Sequence, residues 1–144
     1  MIVQKVTKEQ TYDLRKNVLR KDISLPHVFQ GDDAEGAQHY GVFSDSKIVG
    51  IVSFIPKNLK KNSTLRQIQL RGMAVDSKFQ GKGTGSLLLK EVIEIQRKSG
   101  VDLIWCNARE KAYDFYTKNG FTRMGKEFDI PQIGKHDIMF RELK

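Results

Sequence analysis

The sequence predicts an α/β fold, of the α+β kind, in which helices flank a mixed central sheet of about six to seven strands. The clearest support is an amphipathic helix over residues 83–98, between predicted strands at 64–75 and 101–108. A helical crossover joins parallel strands, so these two strands are expected to be parallel neighbours. The second of them is nearly all apolar, as is typical of a central strand covered on both faces.

The other elements follow from local signals along the chain. Strands are predicted at 2–7, 39–43, 48–55, 64–75, 101–108, 121–130 and 137–143, and helices at 8–20, 83–98 and 111–118. Thr7 and Gln10 are spaced as a capping box. Asp45-Ser46 fits a hairpin turn, and Gly100 stands where the second helix ends. The buried stripe of that helix is expected to comprise Leu88, Leu89, Val92, Ile93 and Ile95.

Length and composition indicate one globular domain over residues 1–144. The 25 Lys and Arg residues outnumber the 17 Asp and Glu residues, which gives a formal net charge of +8. This charge is spread along the chain, as on a solvated basic surface, with a polyanionic ligand as the alternative. Since no zinc-ligand spacing, basic arm or RNA-binding aromatic run appears, nucleic acid is not an expected partner.

The cysteine content and the N-terminal residues bear on the cellular compartment. The single cysteine, Cys106, cannot form an internal disulfide, which fits a reducing environment. The first residues carry neither a signal peptide nor a membrane-spanning stretch. We therefore expect a cytoplasmic protein that makes no use of a membrane. The three histidines are too scattered to form a recognisable metal site, so no metal is expected.

A glycine-rich segment, Gln80-Gly81-Lys82-Gly83-Thr84-Gly85-Ser86, joins a strand to the long helix. Glycines let a ligand approach the backbone, and the free amides at a helix start favour a phosphate. The alternative is a turn that only connects the two elements. Lys82 precedes the second glycine, so the segment is not a Walker A loop, and its spacing is one residue short of a Rossmann fingerprint.

The strand before this loop changes phase. Ile68 and Leu70 share one parity, whereas Met73 and Val75 share the other, so we expect a β-bulge near Gly72-Met73. Ala74 leaves open that the original phase continues. A bulge would splay this strand from its parallel neighbour and would expose backbone groups just before the phosphate loop.

Together these features resemble the GNAT superfamily of N-acetyltransferases. Gln80, Gly83 and Gly85 match the family's Q-x-x-G-x-G segment, and Ala112 to Tyr116 followed by Gly120-Phe121 looks like its A-x-x-x-Y…GF segment. The resemblance covers residues from about 41 to 139. Within it, Leu70 to Ala74, residues 105–109 and the late Pro131, Gly134 and His136 resemble a bacterial subgroup without a firmly assigned substrate.

The resemblance implies that acetyl-CoA is the acetyl donor. The residues expected to hold it are Met73, Ala74, Val75, Gln80, Gly81, Lys82, Gly83, Thr84, Gly85, Ser86, Asn107 and Arg109. Two positions depart from the family pattern. Arg109 stands where many members have asparagine, so either Asn107 substitutes or Arg109 reaches a phosphate. Gln67 and Gln69 stand where some members carry a catalytic glutamate.

The same resemblance implies direct attack by a primary amine in a ternary complex. The thioester oxygen would be stabilised by a backbone N–H at the bulge, such as that of Val75, and Tyr116 would be the general acid. Without the resemblance, Tyr116 is more simply a core tyrosine. The general base is left open among His39, His136, Asp129, Glu127 and water.

The acceptor, a small molecule or a peptide, is not identified by the sequence, and a homodimer is also left open. Asp32, Asp33 and Glu35 lie in the long connection after the first helix, where carboxylates would attract a cationic amine. The alternative is a solvated acidic turn. Two other functions are weighed: a catalytically silent acyl-CoA-binding regulatory module and a nucleic-acid-binding protein.

Overall fold

An eight-stranded sheet runs through residues 1–143, which are those that the computed structural model describes. The strands are β1 (Ile2–Lys5), β2 (Gln38–Ser44), β3 (Lys47–Ile55), β4 (Gln67–Val75), β5 (Leu103–Arg109), β6 (Thr122–Arg123), β7 (Phe128–Ile130) and β8 (Gly134–Glu142). Helix α1 combines a 3₁₀ turn (Glu9–Thr11), an α turn (Tyr12–Leu14) and a π turn (Arg15–Leu19). Helix α2 covers Thr84–Lys98, and α3 covers Tyr113–Lys118 after a 3₁₀ turn at Glu110–Ala112.

The sheet order is β1-β2-β3-β4-β5-β8-β6, and β7 pairs with the start of β8. All neighbours are antiparallel except β4 and β5, which are parallel and joined through α2. The mixed α/β fold and the parallel central pair are therefore confirmed. Because β4 and β5 run in the same direction, their carboxyl ends and the start of α2 meet at one edge of the sheet.

Local signals account for several element boundaries. The amide of Thr7 donates to Gln10 Oε1 at 2.8 Å, and the amide of Gln10 donates to Thr7 Oγ1 at 3.2 Å, so the capping box is confirmed. Asp45 and Ser46 have φ of 48° and 69°, as a two-residue hairpin turn requires. Gly100 ends α2 with φ of 93°.

Two faces of the sheet are covered by different helices. Helix α2 places Leu88, Leu89, Val92 and Ile93 in the main core, while Leu14 of α1 packs on the opposite face against Ile51 and Ala74. Ile95, which was expected to be buried, is 41% exposed, and its neighbour Gln96 is buried instead. The buried face of α2 therefore continues at position 96, whereas the apolar pattern predicts that it continues at position 95.

The sheet has one strand more than the upper end of the expected count, because the predicted strand at 121–130 divides. Gly125, with φ of 85°, lies in the break between β6 and β7. Strand β8 also begins at Gly134, three residues earlier than predicted. The long connection at 20–37 consists of turns and bends without a helix.

Candidate active site

A β-bulge divides β4 into two halves. Ile51 of β3 pairs with Ala74, and Ser53 pairs with Arg71, so two residues of β4 lie opposite one residue of β3. Gly72 adopts φ of 62°, in the left-handed region that glycine tolerates. The bulge that the sequence predicts at this glycine is confirmed.

Next to the bulge, β4 diverges from β5. The parallel pairing ends at Gln69, so the rest of β4 has a gap on that side. On its other edge, the amide of Asp76 donates to the carbonyl of Val49 at 2.8 Å. Because backbone groups alternate between the two edges of a strand, the N–H and C=O of Val75 face the gap. The Gln80 side chain donates to that carbonyl at 2.8 Å, which leaves the Val75 amide at the open slot.

The glycine loop lies where β4 passes into α2. Gly81 and Gly83 have φ of 74° and 82°, and apart from the adjoining residues of the chain no atom of residues 1–143 lies within 4 Å of where a Cβ on either would be. Within α2 the amide of Leu87 bonds the Gly83 carbonyl at 3.0 Å, so the amides of the preceding turn have no helical partner. Bare glycine backbone and the positive end of a 15-residue helix fit a diphosphate group.

A cleft of about 660 Å³ lies between the bulged strand, β5 and this loop. Eight of the twelve residues predicted to hold the coenzyme line it: Met73, Ala74, Val75, Gln80, Gly81, Gly85, Asn107 and Arg109. Lys82, Gly83, Thr84 and Ser86 do not belong to its lining. The hydroxyl of Thr84 is near the Met1 sulfur at 3.9 Å, and that of Ser86 accepts from Asn119 at 3.3 Å. The side chain of Thr84 is buried and that of Ser86 is half-buried, so both pack into the fold.

Tyr116 of α3 lines the same cleft although it is only 6% exposed. Its ring packs edge-on against Phe115 and Phe121, with centroids 5.2 and 5.3 Å away. Burial raises the pKa of Tyr116 well above its usual value, the adjacent Cys106 raises it further, and Arg109 opposes the shift. The phenol is therefore protonated near neutral pH and can donate a proton. Burial also raises the pKa of the Cys106 thiol, which makes it a poor nucleophile.

His136 of β8 also lines the cleft and is only 3% exposed. Its Nδ1 lies 2.7 Å from the carbonyl of Gly134, which can only accept a hydrogen bond. Nδ1 therefore carries the proton, and Nε2 is the basic nitrogen of the neutral ring. The Phe128 ring stacks on the imidazole at 5.7 Å and fixes its orientation.

The other side chains considered as a general base lie outside the cleft lining. His39 is buried, with Nδ1 2.7 Å from Ser53 Oγ and Nε2 3.2 Å from the Asp32 carbonyl, so both nitrogens are engaged. Glu127 and Asp129 lie just before and within β7. Of the four named side chains, only His136 meets the cleft.

Three arginines converge at the end of the cleft away from the glycine loop: Arg20, Arg71 and Arg109. The guanidinium groups of Arg20 and Arg71 lie 5.2 and 4.8 Å from the ring centroid of Phe29. Burial lowers the pKa of all three, and the charges of its arginine neighbours lower that of Arg20 further. For Arg71 the nearby Asp32 carboxylate partly opposes the lowering of the pKa. Within residues 1–143, none of the three forms a salt bridge with a carboxylate. An anion placed among them would relieve this repulsion.

Sequence reasoning did not assign Arg20 and Arg71 to the site. Arg20 directly follows α1 and Arg71 lies in β4, and among 25 basic residues no local pattern sets Arg20 apart. The position of Arg71 directly before the bulge glycine was the one signal available.

The acidic residues of the long connection lie elsewhere. Asp32 is buried in a bidentate pair with Arg15, at 2.8 and 3.0 Å. Asp33 pairs with Lys8 at the surface, and Glu35 is exposed. None of the three lines the cleft. The structure therefore does not bring these carboxylates to the cleft, where a direct contact with a cationic amine would require them.

Two kinds of feature are absent from residues 1–143. No helix there has both the length and the apolar character needed to cross a membrane. In the same range, His, Cys, Asp and Glu side chains nowhere gather in a group of three that could hold a metal ion.

The chain is similar in sequence and in fold to known proteins. A family model described as an acetyltransferase (GNAT) domain matches residues 35–123. The uncharacterised N-acetyltransferase YitI of Bacillus subtilis is 36% identical over 143 residues, which are 99% of this chain and 96% of that protein.

Two solved structures share the fold. Escherichia coli ElaA has a TM-score of 0.80 at 15% identity, over 98% of this chain and 99% of that one. An aminoglycoside 6'-N-acetyltransferase complexed with coenzyme A has a TM-score of 0.78 at 15% identity, over 100% of this chain and 98% of that one.

Proposed function

The chain belongs to the GNAT acetyltransferase family, and we propose that it moves the acetyl group of acetyl-CoA to an amine on a molecule that also bears an anionic group. One observation supports the proposal that the acceptor bears an anionic group. Three arginines without carboxylate partners among residues 1–143 share a cleft with Tyr116 and His136.

The coenzyme is proposed to lie along the splayed half of β4. It supplies the acetyl group as an activated thioester. The amides of the glycine loop and the first turn of α2 hold its diphosphate, and the backbone from Met73 to Val75 pairs with its extended arm. The Val75 amide, which faces the gap, donates to the thioester oxygen as negative charge develops there.

Proton movement is assigned to two side chains. His136 Nε2 takes a proton from the incoming amine, because its Nδ1 proton is already committed to Gly134. The C–N bond forms as the C–S bond breaks, and the Tyr116 hydroxyl gives its proton to the departing sulfur. The raised pKa of Tyr116 keeps the hydroxyl protonated near neutral pH until the thiolate leaves.

The arginines are assigned to the acceptor rather than to the coenzyme phosphates. Arg71 precedes Val75 by four residues, at most roughly 13 Å along the strand because the bulge at Gly72 lies between them, and the glycine loop lies beyond Val75. Arg109 donates to the carbonyl of Leu19 at 2.9 Å, at the end of α1. Guanidinium groups bind carboxylate and phosphate in a fixed planar geometry, so either group suits the acceptor.

The direct experiment measures release of free CoA with acceptors in matched pairs. Each primary amine is tested with its carboxylate or phosphate and again as the neutral amide or alcohol. We expect the anionic member of a pair to have a kcat/KM higher by about tenfold or more, which corresponds to about one well-formed charge-assisted contact. Preference for neutral amines or polycations would overturn the assignment of the acceptor.

A further inference from the structure

A buried polar network lies behind the three arginines and does not itself reach the cleft. The Arg15 guanidinium is fully buried and donates to Asp32 at 2.8 and 3.0 Å and to Ser53 Oγ at 2.9 Å. His39 closes the network through Ser53 at 2.7 Å. None of these four side chains lines the cleft.

The network holds one segment of backbone, the loop at 27–32. Arg15 donates to the carbonyl of His27 at 3.1 Å, and the amide of Phe29 donates to the Asp32 carboxylate at 2.8 Å. His39 Nε2 lies 3.2 Å from the carbonyl of Asp32 itself. The start, middle and end of this loop are thus tied to one buried ion pair.

Two of the three cleft arginines contact the same loop or Pro26, the residue just before it. Arg20 Nε donates to the carbonyl of Pro26 at 2.9 Å, and Arg71 Nη1 donates to that of Gln30 at 3.2 Å. Both guanidiniums lie against the face of Phe29, within 5.2 Å of its centroid. Arg109 is different, because its carbonyl partner is Leu19 on α1.

The loop also rests on the bulge. A Cβ on Gly72 would lie 3.0 Å from the Phe29 ring and 3.2 Å from Arg15 Nε, so the bulge backbone and the loop are in tight contact. The network therefore sets the loop against the strand that opens the slot.

This inference rests on the function proposed above. We propose that Arg15 and Asp32, with Ser53 and His39, are positioning residues, which hold the guanidinium groups of Arg20 and Arg71 where they can bind the anionic group of the acceptor. Stability alone does not explain the pair, since a buried ion pair is often replaceable by apolar residues of similar volume without loss of stability. Removing a single partner would instead leave an uncompensated buried charge. The informative variant therefore removes both charges together.

The test compares the wild type with the double variant Arg15→Met/Asp32→Leu, and crosses each with Arg71→Gln and with Arg109→Gln. In the wild type, either glutamine substitution should raise KM for the anionic acceptor about tenfold. The double variant should remain folded, keep its KM for acetyl-CoA, and raise KM for the acceptor by about tenfold to a hundredfold, the cost of a small misplacement.

The decisive readout is the coupling between substitutions. Arg71→Gln should raise KM for the acceptor little further in the double-variant background, because the Arg71 guanidinium is already displaced there. Arg109→Gln should retain its full effect. Equal additivity for both arginines would overturn the positioning role. If instead neither glutamine variant changes acceptor KM in the wild type, the proposed acceptor chemistry fails, which is a distinct result.

Ser53→Ala keeps the inference falsifiable if the double variant does not fold. This change keeps both charges and removes only the hydroxyl between Arg15 and His39. A smaller rise in acceptor KM, again coupled to Arg71→Gln and not to Arg109→Gln, would support the inference. An unchanged KM in a folded Ser53→Ala protein would contradict it.

Discussion

The two ends of the cleft are built in different ways. The end proposed to hold the coenzyme, here called the coenzyme end, comes from one continuous stretch, from the second half of β4 to the first turn of α2, and presents mostly backbone. The end proposed to hold the acceptor, the acceptor end, is assembled from side chains of α1, β4, β5 and β8, held in place by buried hydrogen bonds. Substitutions at the first end should act through backbone conformation, whereas those at the second should act through charge and position.

The largest effect is expected where the two ends meet, at Tyr116. Tyr116→Phe removes one oxygen and little volume, so the fold and both KM values should survive. We expect kcat to fall by about a hundredfold to ten thousandfold, the usual contribution of a positioned proton donor. Steady-state kinetics on a variant with wild-type melting temperature would measure it. If chemistry is rate-limiting and the variant keeps the wild-type kcat, Tyr116 is a core residue without a role as proton donor.

A somewhat smaller loss is expected at His136. His136→Asn keeps a donor for the Gly134 carbonyl and removes the basic Nε2, and kcat/KM for the acceptor should fall by about a hundredfold near neutral pH. The penalty should shrink above about pH 10, where the amine begins to lose its proton unaided. A pH-independent penalty would show that His136 acts by packing.

The coenzyme end is tested by Gly83→Asp, which sets a carboxylate beside the diphosphate and strains a backbone at φ of 82°. We expect KM for acetyl-CoA to rise by about tenfold or more, while KM for the acceptor is unchanged. Acetyl-CoA at a hundred times its Kd stabilises the wild type by about 2.7 kcal/mol, and thermal melting should show this gain reduced in the variant.

Gly125→Asp is the matched control for that substitution. Gly125 has φ of 85° and, like Gly83, has no atom of residues 1–143 other than those of adjoining residues within 4 Å of a Cβ placed on it, but it lies between β6 and β7. The backbone strain is therefore similar and the loop is left intact. A similar loss of acetyl-CoA binding in both variants would mean that strain, rather than the loop, is responsible.

This contrast also explains what could be predicted from the sequence. The bulge at Gly72 and the loop beginning at Gln80 could be predicted, because glycine positions and the alternation of apolar residues are visible within one segment. The roles of Arg20 and Phe29 could not be predicted, since they depend on Arg71, which only the fold brings beside them. The place of Asp32 could not be predicted for the same reason. The sequence does not show that Asp32 is the buried partner of Arg15, which lies 17 residues earlier in the chain.

The smallest expected effect is on acid stability. Burial alone would raise the pKa of Asp32, but its hydrogen bonds from Arg15 and the Phe29 amide lower it below its usual value of 3.8. A lowered folded pKa gives stability that is present above the unfolded pKa and is lost as pH falls through the folded pKa. Relative to Arg15→Met/Asp32→Leu, the wild type should therefore lose free energy of unfolding only below about pH 4. Parallel unfolding curves from pH 7 to pH 2 would contradict this.

The central claim is that arginine side chains select an anionic acceptor, and one ratio tests it most directly. It is kcat/KM for the preferred anionic acceptor divided by kcat/KM for its neutral analogue, in the wild type, in Arg71→Gln and in Arg97→Gln. Arg97 lies on α2, outside the cleft, and carries the same charge change. We predict that the ratio falls about tenfold in Arg71→Gln and is unchanged in Arg97→Gln. An equal ratio in all three proteins would contradict the account.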